Sequence, residues 1–179
     1  IVEKNIGRKI YELRELRLQS KGLLSTRVDI TNLKEQQKYG EALKAALEQV
    51  TNPIAIWDEN ENLYYANPSW VTINSIGGFQ PELGINFHEM ANQQLALGIH
   101  EATWDSLFDQ KPQSVDEMAK YWESLPKSQR RLIRNNKRFI SNSVKIGSNA
   151  RIALMTDVTE LDQKEAELEV TIKDLEKAK

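Results

Sequence analysis

The order of hydrophobic and turn signals predicts an α+β chain whose centre is a five-stranded antiparallel sheet with helices over one face. Three observations predict it. Two short apolar runs, Ile54–Trp57 and Leu63–Ala66, flank the polar turn Asp58-Glu59-Asn60-Glu61-Asn62 and read as a hairpin. Three further runs, over 129–134, 138–145 and 150–158, are separated by Asn135-Asn136 and Gly147-Ser148-Asn149, and read as consecutive strands. Between the two groups the periodicity is helical.

The elements follow in order. Residues 9–18 and 23–30 read as two strands. Tyr11 and Leu13 share a face of the first, and Leu24, Thr26 and Val28 alternate with Ser25 and Arg27 in the second. Ser20-Lys21-Gly22 is the turn between them. A hairpin without a core is marginal in water, so residues 1–31 are expected to be the end of a domain that begins before this chain. Residues 32–51 form a linker helix rich in Lys, Glu, Gln, Ala and Leu. Leu33, Gly40 and Leu47 lie seven apart, as do Gln36, Leu43 and Val50, which makes an interrupted coiled-coil seam; a surface helix lying on its own domain is the alternative. Thr51-Asn52-Pro53 ends it.

The complete domain is expected over 52–159. After its first hairpin, Asn67-Pro68-Ser69 starts a short helix through Trp70, Val71 and Ile73, and Gly77-Gly78 and Pro81 to Gly84 are loop. A second helix begins near Phe87, with Met90, Ala91, Gln94 and Leu95 on one side. Ser114 and Glu117 form a capping box. The helix behind it places Val115, Met118, Trp122 and Leu125 on a core-facing stripe and stops at Pro126. In the last strand Ile152 and Leu154 face one way, and Arg151, Ala153 and Met155 the other.

One motif occurs twice. Asp29-Ile30-Thr31 and Asp157-Val158-Thr159 each end a strand and open a charged, helix-prone segment, at an offset of 128 residues (157 − 29), about one small domain. Thr is a favourable N-cap, worth about 1 kcal/mol through its bond to an orphan amide of the first turn. Thr159 has Asp162 three residues on, as in a short capping box, whereas Thr31 has Lys34, which makes that cap weaker.

Composition excludes several classes. The 179 residues carry 24 Lys and Arg against 26 Asp and Glu, a net charge of −2, so nothing points to nucleic acid. There is no Cys, hence no disulfide, thiolate metal site or cysteine nucleophile. No apolar run reaches the roughly 20 residues of a membrane span, and the first residues carry no signal-peptide pattern. A cytoplasmic location without direct membrane contact is the expectation.

Taken together, residues 47–161 resemble the PAS sensor family. The residues that carry the likeness are the leading helix, the Ile54–Trp57 strand, the hairpin ending in Asn67, the three-strand meander and the closing Asp157-Val158-Thr159. In that family the closing triplet, usually Asp-Ile-Thr, joins the last strand to a signalling helix. Asp29-Ile30-Thr31 and its lead-in Gly22-Leu23-Leu24-Ser25-Thr26-Arg27-Val28 resemble the end of a preceding PAS domain. The subtype with a long helical insert between the second and third strands fits 87–126 best.

The resemblance implies a sensory or dimerising module of a bacterial signalling protein rather than an enzyme. It also implies an effector beyond this chain, such as a histidine kinase of a two-component system or a diguanylate or nucleotidyl cyclase. Leu175-Glu176-Lys177-Ala178-Lys179 resembles a helix leading into a kinase dimerisation domain. The alternative function is a small-molecule sensor, with or without a non-covalent cofactor.

Residue chemistry completes the expectations. The signalling junctions are Asp157, Val158 and Thr159, with Asp29 and Thr31 in the first copy. Trp57, Tyr65, Asn67, Trp70, Phe87 and Met90 are the candidate lining of a ligand cavity, although close packing favours these side chains filling it. Glu59 and Glu61 are assigned to solvent. Haem is not supported by His88 alone; cysteinyl-adduct flavin chemistry lacks its Cys, and non-covalent flavin has no residue in its favour. No cofactor, metal or catalytic residue is therefore assigned. Over 160–179 the outgoing helix carries Leu161, Leu168 and Leu175 at d with Ile172 at a, a combination that favours a parallel two-stranded homodimer.

Overall fold

A computed structural model of the chain describes residues 1–17, 22–100, 114–124, 130–147 and 149–177; for 121–123 the description covers the backbone alone. The chain divides into two compact units, Ile1–Gln49 and Val50–Lys179.

The first unit is a three-stranded antiparallel sheet, β1 (Val2–Ile6), β2 (Lys9–Arg17) and β3 (Leu23–Asp29), in the order β1-β2-β3, followed by α1 (Thr31–Gln49). The sequence reading of a two-strand hairpin is corrected here, since β1 adds a third strand. The signal that reveals it is Gly7, whose φ of +64° supplies the left-handed residue that a two-residue hairpin turn requires. The β1 run mixes Val and Ile with Glu, Lys and Asn and is exposed throughout, so no hydrophobic alternation marks it. A second correction concerns α1. It ends at Gln49, so Val50 is not part of the helix and drops out of the seven-residue row with Gln36 and Leu43. The Val50 carbonyl instead accepts hydrogen bonds from Asn67 Nδ2 and Ser69 Oγ.

The second unit is α+β. Its elements are β4 (Ile54–Trp57), β5 (Leu63–Ala66), α2 (Pro68–Asn74), α3 (Phe87–Ala96), α4 (Val115–Ser124), β6 (Arg131–Arg134), β7 (Lys137–Ile146), β8 (Ala150–Asp157) and α5 (Thr159–Lys177). The five strands form one antiparallel sheet in the order β5-β4-β8-β7-β6, which brings the first and last strands of the unit together at its centre. Two asparagines shape the connections. Asn135 and Asn136 adopt φ of +50° and +61°, the two left-handed residues of a type I′ turn between β6 and β7. Asn67, fully buried, caps α2: its Oδ1 accepts from the backbone N–H of Trp70 and of Ile54, while its Nδ2 donates to the carbonyls of Val50 and Asn52. One side chain thus ties β4, the chain leading into it and the helix after β5.

The core lies between one sheet face and the helices. Ala55, Trp57, Leu132, Phe139 and Met155 from the strands meet Trp70 of α2 and Met90 of α3 in one cluster. The period-2 pattern places them there, because alternate residues of β4 and β6 are buried. Ser114 Oγ accepts from the Glu117 N–H at the start of α4, and Val115 is buried. The Trp122 side chain, Leu125, the stop at Pro126, the turn residues Ser20 and Lys21, and Ser148 lie outside the described residues.

Candidate functional site

The junction at the end of β8 is built by backbone accounting. The Val158 carbonyl accepts from the Asp162 N–H and so starts α5, while the Val158 N–H continues the sheet by donating to the Arg138 carbonyl. The Arg138 N–H would pair with that same Val158 carbonyl in a continuing ladder and must find another acceptor. Thr159 Oγ1 supplies it at 2.9 Å and in turn donates to Asp157 Oδ1 at 2.6 Å; the Thr159 N–H donates to the same oxygen at 3.0 Å. Lys137 Nζ sits 3.1 Å from Asp157 Oδ2. The expected cap is therefore corrected. The threonine hydroxyl does not receive an amide of the first helical turn; it fastens that turn back onto β7. The Thr159 hydroxyl bond is the main influence holding the Asp157 carboxyl below the usual carboxylate range, with the Thr159 amide and Lys137 adding to it against partial burial.

The first unit repeats this clasp atom for atom. Thr31 Oγ1 accepts from the Ile10 N–H at 2.9 Å and donates to Asp29 Oδ1 at 2.6 Å, and the Thr31 N–H donates to Asp29 Oδ1 at 3.1 Å. Lys9 Nζ lies 3.0 Å from Asp29 Oδ2. Ile30 N–H donates to the Ile10 carbonyl, and Lys34 N–H to the Ile30 carbonyl. The Asp29 carboxyl falls to about 2, through the Thr31 hydroxyl first and then Lys9. The correspondence extends to the strands. Ile6 pairs with Lys9 as Arg134 pairs with Lys137, and Tyr11 pairs with Asp29 as Phe139 pairs with Asp157. The repeat visible in two triplets is a repeat of a whole three-strand meander with its outgoing helix.

One difference between the copies is a reversal of charge. In the second, Asp162 on the first turn of α5 forms an ion pair with Arg131 of β6, 3.0 Å from its Nη2, and accepts a hydrogen bond from Arg138 Nη1 at 3.5 Å. In the first, the equivalent helix position is Lys34 and the equivalent strand position is Glu3, paired at 2.7 Å. Asp162 thus serves an ion pair to the sheet rather than the capping box expected of it. Its side chain is almost wholly buried while Arg131 and Arg138 stay partly exposed, so the pair ties the helix to the meander at the edge of the core.

A cavity of about 390 Å³ lies inside the second unit. Trp57, Trp70, Phe87 and Met90 line it, as expected of the candidate set; Tyr65 and Asn67 do not. Trp57 meets Trp70 edge-on at 6.3 Å and Phe87 edge-on at 5.3 Å, so the aromatic groups form a wall and leave space beside it rather than filling it. The sheet adds polar and basic groups to the lining: Arg134 from β6, Ser141, Ser143 and Lys145 from β7, and Arg151 from β8, which pairs across the strands with Trp57. Glu61, expected in solvent, keeps a well-exposed side chain, and its carboxylate lies 3.3 Å from Arg151 Nη2 and 3.5 Å from His88 Nε2. Arg151 also stacks its guanidinium 4.8 Å from the Phe87 ring centre.

Three buried polar residues of this cavity, Gln94, His100 and Arg134, are joined through the His100 ring. His100 is buried, with Nδ1 2.9 Å from Arg134 Nη2 and Nε2 3.0 Å from Gln94 Oε1. Burial, helped by the Arg134 charge, pushes its pKa down to about 3, so the ring is neutral at physiological pH. Arg134 is only 3% exposed and is pushed down to about 10 by the same burial. The signal for Arg134 was present: in Arg-Leu-Ile-Arg, alternation puts it on the face of Leu132.

On α5, Leu161, Leu168, Ile172 and Leu175 stand well exposed and form an apolar stripe. Among the described residues no group of His, Asp and Glu is placed to hold a metal ion, and no helix is long and apolar enough to cross a membrane. No family model matches the chain, and no curated protein is similar to it.

Proposed function

We propose that the second unit is a PAS-type sensory module that passes the state of its sheet to α5 through the Asp157–Thr159 clasp, and that α5 delivers it as one strand of a parallel homodimer to an effector. The observation that carries this reading is the clasp itself, built twice in the same register and each time at the hand-over from sheet to helix. The order of two strands, helices, three strands and a closing Asp-x-Thr supports the PAS assignment. The exposed Leu161, Leu168, Ile172 and Leu175 support the dimer. A clasp of this kind is worth about 1 kcal/mol, enough to shift a two-state balance about fivefold without unfolding a domain.

The test is a chimera in which α5 runs in register into the dimerisation helix of a histidine kinase, with autophosphorylation as the readout. Asp157→Ala and Thr159→Ala are expected to change basal activity several-fold at nearly unchanged stability. Activity equal to wild type in both variants would reduce the clasp to a connector.

A second reading, a small-molecule sensor, is favoured by the cavity. A lining that joins aromatic side chains to a buried guanidinium is the composition of a binding pocket rather than of a packed core.

A further inference from the structure

We infer that the cavity of the second unit binds a small organic carboxylate with an apolar body, held by Arg134 and Gln94 against the aromatic wall. The inference deepens the sensor reading and rests on it. Arg134 is a buried cation without a carboxylate partner among the described residues. Its contacts are the His100 ring, the Ile133 carbonyl at 2.9 Å and the Ile99 carbonyl at 3.4 Å, all neutral acceptors. A buried charge left without a counterion is costly, and proteins ordinarily pair it. Its Nε lines up no acceptor at all, and neither does the Nε2 of Gln94, a side chain 2% exposed on the same cavity. Two buried donors therefore await an acceptor in one place.

The surrounding chemistry selects the acceptor. Among the described lining residues none is acidic, and Lys145 adds its charge to that of Arg134. The Arg134 Nε–H and a Gln94 Nε2–H can each donate to one oxygen of a carboxylate, a charge-assisted pairing. The neutral, buried His100 fixes Arg134 through Nη2 and Gln94 through its Oε1, which leaves the unpartnered Arg Nε and Gln Nε2 as donors. The apolar part of the lining, Trp57, Trp70, Phe87 and Met90, fits an aromatic or aliphatic body. An inorganic anion would use the donors and leave that part unfilled.

The experiment is thermal unfolding of the full chain with a series of straight-chain carboxylates from acetate to decanoate, with phenylacetate, with the corresponding neutral amides, and with inorganic phosphate. At least one carboxylate is expected to raise Tm by about 5–10 °C at a hundredfold excess over Kd, while its amide does not. Arg134→Met should weaken that ligand about 10- to 100-fold. Arg134→Lys, which keeps the charge and loses the fork, should recover part of the loss and covers the case in which the methionine variant does not fold. The inference is overturned if no carboxylate acts, if amides act equally, if phosphate acts as strongly as any carboxylate, or if both Arg134 variants respond like wild type. A carboxylate response that persists in Thr159→Ala without any change in chimera output would leave the site standing and remove the relay. Loss of the response with an intact clasp effect would do the reverse.

Discussion

Thr159 illustrates how much one hydroxyl can do. It is at once the acceptor for the last free amide of β7 and the donor to Asp157, so its removal orphans the Arg138 N–H and releases one bond to the carboxylate. Thr159→Ala is expected to cost about 1 kcal/mol, or about 2–4 °C in Tm, as measured by thermal unfolding. A loss above about 3 kcal/mol would mean that the junction is part of the core rather than a fastening.

His100 gives a second test, in pH. Its folded-state pKa of about 3 lies below the ordinary 6.5 because burial and the Arg134 charge oppose protonation. The unfolded chain therefore binds more protons than the folded one between those values. Stability should fall as pH drops from about 6.5 towards 3, with a slope approaching 1.4 kcal/mol per pH unit from this group. The lowered pKa values of Asp29 and Asp157 act in the same direction but only in the carboxylate range. Urea unfolding of wild type and His100→Gln between pH 7 and 5, above that range, should show the slope in the wild type and a flatter line in the variant. Parallel lines would mean that His100 is accessible to protons when folded.

Between elements, the charge reversal is the most specific prediction. Breaking the Arg131–Asp162 pair alone, by Arg131→Glu, sets two carboxylates against each other. It should cost about 2 kcal/mol, between the value of a surface pair and that of a buried one. Adding Asp162→Lys installs the polarity of Glu3 and Lys34 and should recover at least half of that loss in a double-mutant cycle. Recovery should be completed by Arg138→Ile, because Arg138 faces the new lysine and the first unit has Ile10 at that place. Additive losses would show that the two junctions are not one design.

At this scale the limits of sequence reading also become physical. The strands Ile54–Trp57 and Leu63–Ala66 were legible to the residue because buried alternation and a polar turn bound them. β1 was not, because an exposed strand of Val, Glu, Lys, Asn and Ile carries no hydrophobic period and only Gly7 betrays the turn. The triplets were legible as a repeat, but their true partners, Lys137 and Arg138, lie about 20 residues upstream and are joined only by strand pairing. Arg134 was hidden for a related reason: a basic residue in a strand is read as solvated until the fold buries the face it shares with Leu132.

For the whole molecule the question is what α5 does with an apolar stripe that its own chain leaves exposed. Leu161, Leu168 and Leu175 are each more than half exposed, with Ile172 close to that. A helix of this length is marginal alone, so the sheet clasp and, in the proposed dimer, a second strand are its two sources of order. Leu168→Glu should shift the protein from dimer towards monomer at micromolar concentration by light scattering, with the five-stranded unit still folded. The absence of cysteine makes the decisive measurement simple. A spin label on Lys173→Cys, at an exposed position of α5, reports the distance between the two helices of a dimer by pulsed electron resonance. The account predicts one narrow distance in the otherwise wild-type chain, and a shifted or broadened one when Asp157→Ala or Thr159→Ala opens the clasp. A monomer without any inter-label distance, or the same narrow distance in all three proteins, would contradict it.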